Sequence, residues 1–185
     1  MTLQIRRYDT ADSDAVCALN DWAMRDAGTD PTDIPGHEDV TAIESVYFDA
    51  GGSFLVGVCE TPNPFGGWNS TPFETTDGFV VAMGGFLPSE QGYEDERTVP
   101  GAAELHRMRV APPAQGRGYG RAILQALEAE IARAGYEHVL ATTATHQTRA
   151  LAFYPAHGYE RVGTSQLGEF DLVHFEKRLA EGSDK

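Results

Sequence analysis

The chain has 185 residues, of which 41% are apolar, and 28 acidic against 14 basic residues give it a net charge of −14. That length and apolar content predict one domain with a full core over residues 1–180, followed by a disordered tail at 181–185. The negative charge argues against nucleic acid or an anionic membrane as a main partner, and it favours encounter with cationic ones.

Leu3–Tyr8 alternates as a first strand. Asp9–Ser13 offers helix-capping residues, and Val16, Leu19 and Ala23 then lie on one helix face. Asp26–Glu38 is rich in turns, and Asp39 is placed to cap a second helix through Phe48, which Gly51 and Gly52 end. Strands are expected at Phe54–Cys59, Phe79–Phe86 and 103–110, with a helix over about 117–134. A strand at 138–143, a helix at about 146–156 and strands near 159–163 and 170–178 complete the series. Strands interleaved with helices indicate an α/β sandwich.

Two connections differ in character. Residues 61–77 exceed what a hairpin needs and carry Phe65, Trp68 and Phe73, so they read either as a lid or dimer contact or as a surface excursion whose aromatics pack locally. Residues 88–102 are polar and acidic, with Glu90, Glu94, Asp95 and Glu96, and read as a solvated connection.

Other features bound the setting. No run of 18 apolar residues is present, so no membrane span is expected. Charges stand near the N-terminus where a signal peptide would have its apolar core. Cys17 and Cys59 form no disulfide framework, which makes a cytoplasmic protein the simplest reading. Among the basic residues only Lys177 and Lys185 are lysines, a composition that fits either a high-salt cytoplasm or a GC-rich genome. His37, His138, His146, His157 and His174 lack metal-ligand spacing, and no metal is expected.

The most informative stretch is Glu104–Gly120, a strand, a proline-marked turn and a glycine-rich loop that opens a helix. The first amides of a helix lack internal partners and lie at the positive end of its dipole, so such a loop can hold a phosphate. A P-loop is excluded because Arg121 and Ala122 follow Gly120. A dinucleotide fingerprint is excluded because Arg121 stands where a small residue is needed. The remaining pattern, Gln/Arg-x-x-Gly-x-Gly/Ala, is met by Gln115, Gly118 and Gly120. Further on, Gln147, Ala150, Phe153, Tyr154, Gly158 and Tyr159 form a second recognisable segment.

Together these segments resemble the GCN5-related N-acetyltransferase (GNAT) superfamily, closely over about 103–163 and loosely over 1–60. The resemblance implies a mixed, mostly antiparallel sheet of about six to seven strands with helices on both faces. It implies acetyl-CoA as co-substrate, with its pyrophosphate on Gln115, Gly116, Arg117, Gly118, Tyr119, Gly120 and Arg121. It also implies pantetheine pairing with the backbone of Met108, Arg109 and Val110, and Gln147 near the coenzyme arm. The implied activity is acetyl transfer to a primary amine of a small molecule or peptide, with a non-catalytic acyl-CoA-binding or sensor domain as the alternative. Many relatives pair into dimers, so a homodimer is compatible with the resemblance.

Direct attack requires an unprotonated amine, a polarised carbonyl and a proton for the departing thiolate. Tyr154 matches the family tyrosine that faces the coenzyme sulfur, either as proton donor or as hydrogen-bond donor, and Pro155 beside it is a departure that kinks or ends the helix. Glu104, at the start of a Glu-Leu-x-Arg-Met-x-Val pattern, is the candidate base or water-positioner. His106 shares its strand face and is the alternative base. The acceptor pocket is expected from the 26–40 loop, strand 103–110 and the 138–156 region, where Asp33, Glu38 and Asp39 either attract a cation or are solvated.

Overall fold

The computed structural model describes residues 2–34, 36–60, 65–67 and 69–180. Its strands are β1 (Leu3–Arg7), β2 (Ser53–Cys59), β3 (Glu74–Thr75), β4 (Gly78–Pro88), β5 (Ala102–Val110), β6 (His138–Ala144), β7 (Glu160–Leu167) and β8 (Phe170–Arg178). Its α-helices are α1 (Ser13–Asp26), α2 (Tyr119–Arg133) and α3 (Thr148–Ala156). The strands form one sheet in the order β1-β2-β4-β5-β6-β8-β7, with the two-residue β3 on β4. Neighbours are antiparallel except β5 and β6, which are parallel. This is the mixed, mostly antiparallel sheet that the resemblance implies, seven strands in its main order with the two-residue β3 added.

β2 is buried at all of its positions, and β4 is buried from Val80 to Leu87. Strands covered on both faces read as nearly continuous apolar runs, which is why these two were visible without strict alternation. On one face Gly84 and Gly57 lie against Ile123 of α2. Gly85, pointing the other way, lies against Tyr47. α2 buries Ile123, Leu124, Leu127 and Ile131, at helical spacing, against the sheet. Among the described residues, no helix is long and apolar enough to cross a membrane.

The capping prediction for α1 holds one turn earlier than the helix itself. Asp9 accepts from Ala11 N at 2.9 Å, and Asp12 returns the contact by accepting from Asp9 N at 2.9 Å. This reciprocal box closes a short 3-10 turn that runs directly into α1.

The helix expected from Asp39 to Phe48 is not a regular α-helix. The chain instead forms a 3-10 turn at His37–Thr41 and a π turn at Glu44–Phe48. Asp39 caps nothing, because its carboxylate is turned inward and held by Arg107, Tyr47 and Tyr93.

The long 61–77 connection also resolves in part. Phe65 and Phe73 are buried, 4.9 Å apart by ring centroid, and both pack against Trp22 of α1, Phe65 edge-on and Phe73 tilted. This is the local-packing alternative, since none of the segment's described residues lines the cavities below. Residues 61–64, Trp68 and the tail at 181–185 lie outside the described residues.

Two features of β5 position the site. Its parallel pairing with β6 runs only from Ala102–Glu104 against His138–Leu140, after which the strands part. Its pairing with β4 shifts register between Met83 and Gly85, so that Arg107 and Met108 together oppose Gly84. This is a β-bulge, and Arg107 sits in it at φ 52, a left-handed value rare for a residue with a side chain. Gly84 lies opposite it, where a Cβ would come 2.5 Å from Met108 Sδ and 3.0 Å from Ile123 Cγ2, so a side chain there would displace Met108.

Candidate active site

The gap between β5 and β6 holds two cavities that share a wall. The larger, about 690 Å³, runs from the end of α1 past Met108–Val110 to the first turn of α2, and is closed by α3. The smaller, about 150 Å³, lies on the other side of Met108, Arg109, Gln147 and Tyr154.

The larger cavity is built around Gly118. This residue stands at the helix N-cap with φ 84 and ψ 3, a left-handed conformation that glycine adopts without the cost of a Cβ. A Cβ on Gly116 or Gly118 would meet nothing within 4 Å, so the space before the helix is open. The first amides of α2 therefore face a groove of cofactor size with the positive end of the helix dipole. Gln115 braces the loop by donating from Nε2 to Val110 O at 3.2 Å, and its Oε1 accepts from Arg149. All the predicted coenzyme-binding residues line this groove except Arg117, whose side chain is exposed. Tyr119 forms part of the lining, while its hydroxyl turns inward to Cys59 Sγ at 3.7 Å.

Tyr154 and Arg109 stand between the cavities and line both. α3 runs one residue past Pro155, so the proline ends the helix rather than displacing Tyr154. Tyr154 O then accepts from His157 N and Tyr159 N, at 3.0 and 3.1 Å, which fixes the turn. Burial raises the Tyr154 phenol above its ordinary value, opposed by the nearby Arg109 guanidinium. Its hydroxyl therefore keeps its proton at neutral pH. Burial in turn pulls Arg109 down to about 10, with Arg107 adding repulsion.

The smaller cavity draws on the predicted 26–40 loop, β5 and the β6–α3 region. Thr29 Oγ1 meets His146 Nε2 at 2.7 Å and joins two of these segments. Of the loop acids, Asp33 lines the cavity, Glu38 is exposed, and Asp39 is neither solvated nor available, being buried against Arg107. The 88–102 connection is solvated only in part: Glu90 and Glu94 are exposed as expected, but the rest of its acids turn inward. It places Tyr93, Asp95 and Glu96 in the cavity wall, with the Glu96 side chain only 8% exposed. Tyr93 N donates to Glu96 Oε2 at 2.8 Å, and Tyr93 Oη donates to Asp39 at 2.8 Å, which folds the segment inward.

His106 lines this cavity and is 5% exposed. It stacks on Tyr93 at 5.1 Å between centroids, and its Nε2 lies 2.7 Å from Glu96 Oε1. Glu104 is placed differently. It is 1% exposed, lines neither cavity, and its two carboxylate oxygens have no hydrogen-bond partner. Burial, reinforced by Glu96, raises its carboxyl well above the ordinary glutamate value.

Sequence reasoning missed Tyr93, Glu96 and the Arg107–Asp39 pair. The two partners in each contact are far apart in the chain or sit on irregular backbone, so no periodicity marks them. The available signal was the aromatic Tyr93 amid an otherwise acidic connection.

Comparison with known proteins agrees with this geometry. The model of the Acetyltransferase (GNAT) family matches residues 59–159. The acetyltransferase of GNAT family from Staphylococcus aureus MU50 superposes with a TM-score of 0.73 at 13% identity, covering 97% of this chain and 100% of that one. The yncA protein of Salmonella typhimurium, solved with its cofactor acetyl-CoA, gives 0.68 at 20% identity, covering 100% and 98%. The PaiA N-acetyltransferase of Thermoplasma acidophilum, in complex with coenzyme A, gives 0.67 at 13%, covering 97% and 100%. At such identities the structures share a fold. No curated protein matches the chain in sequence.

Proposed function

The chain belongs to the GNAT acetyltransferase family, and from that premise we propose that it moves an acetyl group from acetyl-CoA directly to a primary amine of a small molecule or peptide. One observation carries this reading: the parting of β5 from β6 after Glu104 creates two cavities that meet at Tyr154. One suits a phosphorylated arm; the other is small, acid-lined and sized for an amine.

In this reading the amides of α2 and the Gln115–Arg121 loop hold the pyrophosphate, with Gln147 beside the arm. The backbone of Met108–Val110, freed from β6, pairs with the pantetheine amides and polarises the thioester carbonyl. Placing amine and thioester side by side where the two cavities meet supplies much of the acceleration, about 7–11 kcal/mol at the upper end. Tyr154, protonated at neutral pH, donates to the departing sulfur. Asp33 and Asp95 favour an acceptor that is itself cationic.

The test is isothermal titration with acetyl-CoA followed by free-thiol release over a panel of amines. Micromolar binding with thiol release supports the enzyme. Binding without release from any amine supports the acyl-CoA-binding or sensor alternative, and absence of binding overturns both. A single domain, a cytoplasmic location, a homodimer and high-salt adaptation are further parts of the proposal that rest on composition and resemblance. Sedimentation tests the dimer, and unfolding midpoints from low to multimolar KCl test the salt adaptation.

A further inference from the structure

The wall between the two cavities holds a cation that no acid neutralises among the described residues. Arg109 lines both cavities where they meet at Tyr154. Its Nη1 donates to Met108 O at 3.0 Å, and its Nε is buried with no partner. Nη2 makes no hydrogen bond among the described residues and, unlike Nε, is not enclosed. No carboxylate forms an ion pair with Arg109 among them. Acids are not scarce, since the chain has 28 acidic residues to 14 basic ones, so this is a matter of placement. Arg107 nearby takes Asp39 for itself and adds repulsion. A desolvated cation without a counter-ion is costly, and an anion brought by a ligand relieves that cost.

The coenzyme's pyrophosphate is not that anion on the reading above. Its loop lines the larger cavity alone, whereas Arg109 also faces the smaller one. The anion therefore arrives with the acyl group or with the acceptor. A carboxylate at the far end of an acyl chain would point into the smaller cavity, toward Asp33, Asp95 and Glu96, which repel it. An α-carboxylate on the acceptor avoids them. A single carbon separates it from the amine, so seating it on Arg109 leaves the nitrogen at the junction, beside the thioester. The side chain then enters the acid-lined cavity, where Asp95 offers a buried Oδ1 with no partner.

On the acetyltransferase reading, we propose that the acceptor is a free α-amino acid with a cationic side chain, held by its α-carboxylate on Arg109. Guanidinium and carboxylate match as a planar fork, which makes arginine the fitting side chain for this task. The proposal narrows the amines of that reading. A peptide N-terminus carries no carboxylate on that carbon and would leave Arg109 unmatched.

The test uses L-arginine, whose sole primary amine is the α-amine, beside L-argininamide, which lacks the carboxylate charge, and agmatine, which lacks the group altogether. L-lysine and cadaverine repeat the comparison with a smaller side chain. Isothermal titration measures each amine against the coenzyme A complex of the parent, Arg109→Gln and Arg109→Lys, and thiol release from acetyl-CoA gives kcat and KM. In the parent, the amino acids should bind about 10- to 100-fold more tightly than their carboxylate-free analogues. Arg109→Gln should erase that preference while acetyl-CoA Kd stays within about twofold, and Arg109→Lys should restore part of it. Because the guanidinium has no acid partner, Arg109→Gln should not lower the Tm of the ligand-free protein. A lower Tm with the preference intact marks a structural residue and overturns the proposal. Binding of neither amino acid, or equal affinity for the analogues, overturns it while leaving acetyl transfer intact. Thiol release that is faster from succinyl-CoA than from acetyl-CoA, and that loses this advantage in Arg109→Gln, assigns the carboxylate to the donor and overturns it as well. Failure of the parent to bind acetyl-CoA overturns the acetyltransferase reading instead.

Discussion

Arg107 Nε donates to both carboxylate oxygens of Asp39, at 2.9 and 3.0 Å, across 68 positions of the chain. The same guanidinium donates to Gly36 O at 2.9 Å, and Asp39 also accepts from Tyr47 and Tyr93. One buried ion pair thus ties the bulge in β5 to the 36–48 turns and, through Tyr93, to the connection that carries Glu96. The left-handed backbone at Arg107 is held in place by these bonds.

Breaking one side of this pair should therefore cost more than its surface counterparts. Asp39→Asn or Arg107→Met leaves a buried charge uncompensated, and each should lose about 3–5 kcal/mol of stability. For a chain of this size that corresponds to roughly 10 °C in Tm. Replacing both by apolar residues should recover part of the loss. Urea unfolding of the two single variants and the double variant measures this, and additive losses would show that the pair does not act as a unit.

Glu104 makes stability depend on pH in a stated direction. Its folded carboxyl titrates above the ordinary glutamate value of 4.5, so the folded state binds more protons than the unfolded chain over that interval. Stability then falls as pH rises from near 4.5 through the folded value, and levels off above it. Glu104→Gln should flatten this limb and be the more stable form at pH 7–8. Unfolding curves of parent and variant from pH 5 to 8 would display the two slopes, and parallel curves would refute the buried neutral acid.

Removing the Tyr154 hydroxyl should lower turnover without loosening the coenzyme. Tyr154→Phe is expected to reduce kcat by about 10- to 100-fold, with acetyl-CoA Kd unchanged. Because burial raises this phenol, its ionisation should leave no alkaline limb below pH 10 in the parent. Thiol release followed to pH 10, alongside titration of each form with acetyl-CoA, checks both statements.

Gly118 should be the sensitive point of the phosphate loop. Its φ of 84 costs roughly 1–2 kcal/mol for a residue with a Cβ. A side chain there also enters the open space before α2. Gly118→Ala should weaken acetyl-CoA binding by about tenfold or more, and Gly118→Val further. Isothermal titration reads the effect, and equal affinities would remove the loop from the coenzyme site.

The glycine-rich wall of the larger groove was legible in the sequence because its parts are local. Gln115, Gly118 and Gly120 are close in the chain, and the helix they open has a plain apolar face. Glycine at a helix start and periodicity along the helix are both short-range signals. The succession of strands along the chain was legible for the same reason, except the two-residue β3, since each apolar run is bounded by its own turns. The acceptor side was not. Its sequence looked like two acidic, turn-rich connections, and neither contains any repeat that says which acids face inward.

By itself, the sequence determined most of the strands, the helices α1, α2 and α3 and the glycine-rich turn that opens α2, all set by local propensity and spacing, but not the irregular turns at 37–48. Only the tertiary structure decided which charges are buried and which titratable groups meet. Arg107 with Asp39, and His106 with Glu96, are contacts whose energy depends on desolvation by a completed core, and a burial environment exists only once the chain has folded around it.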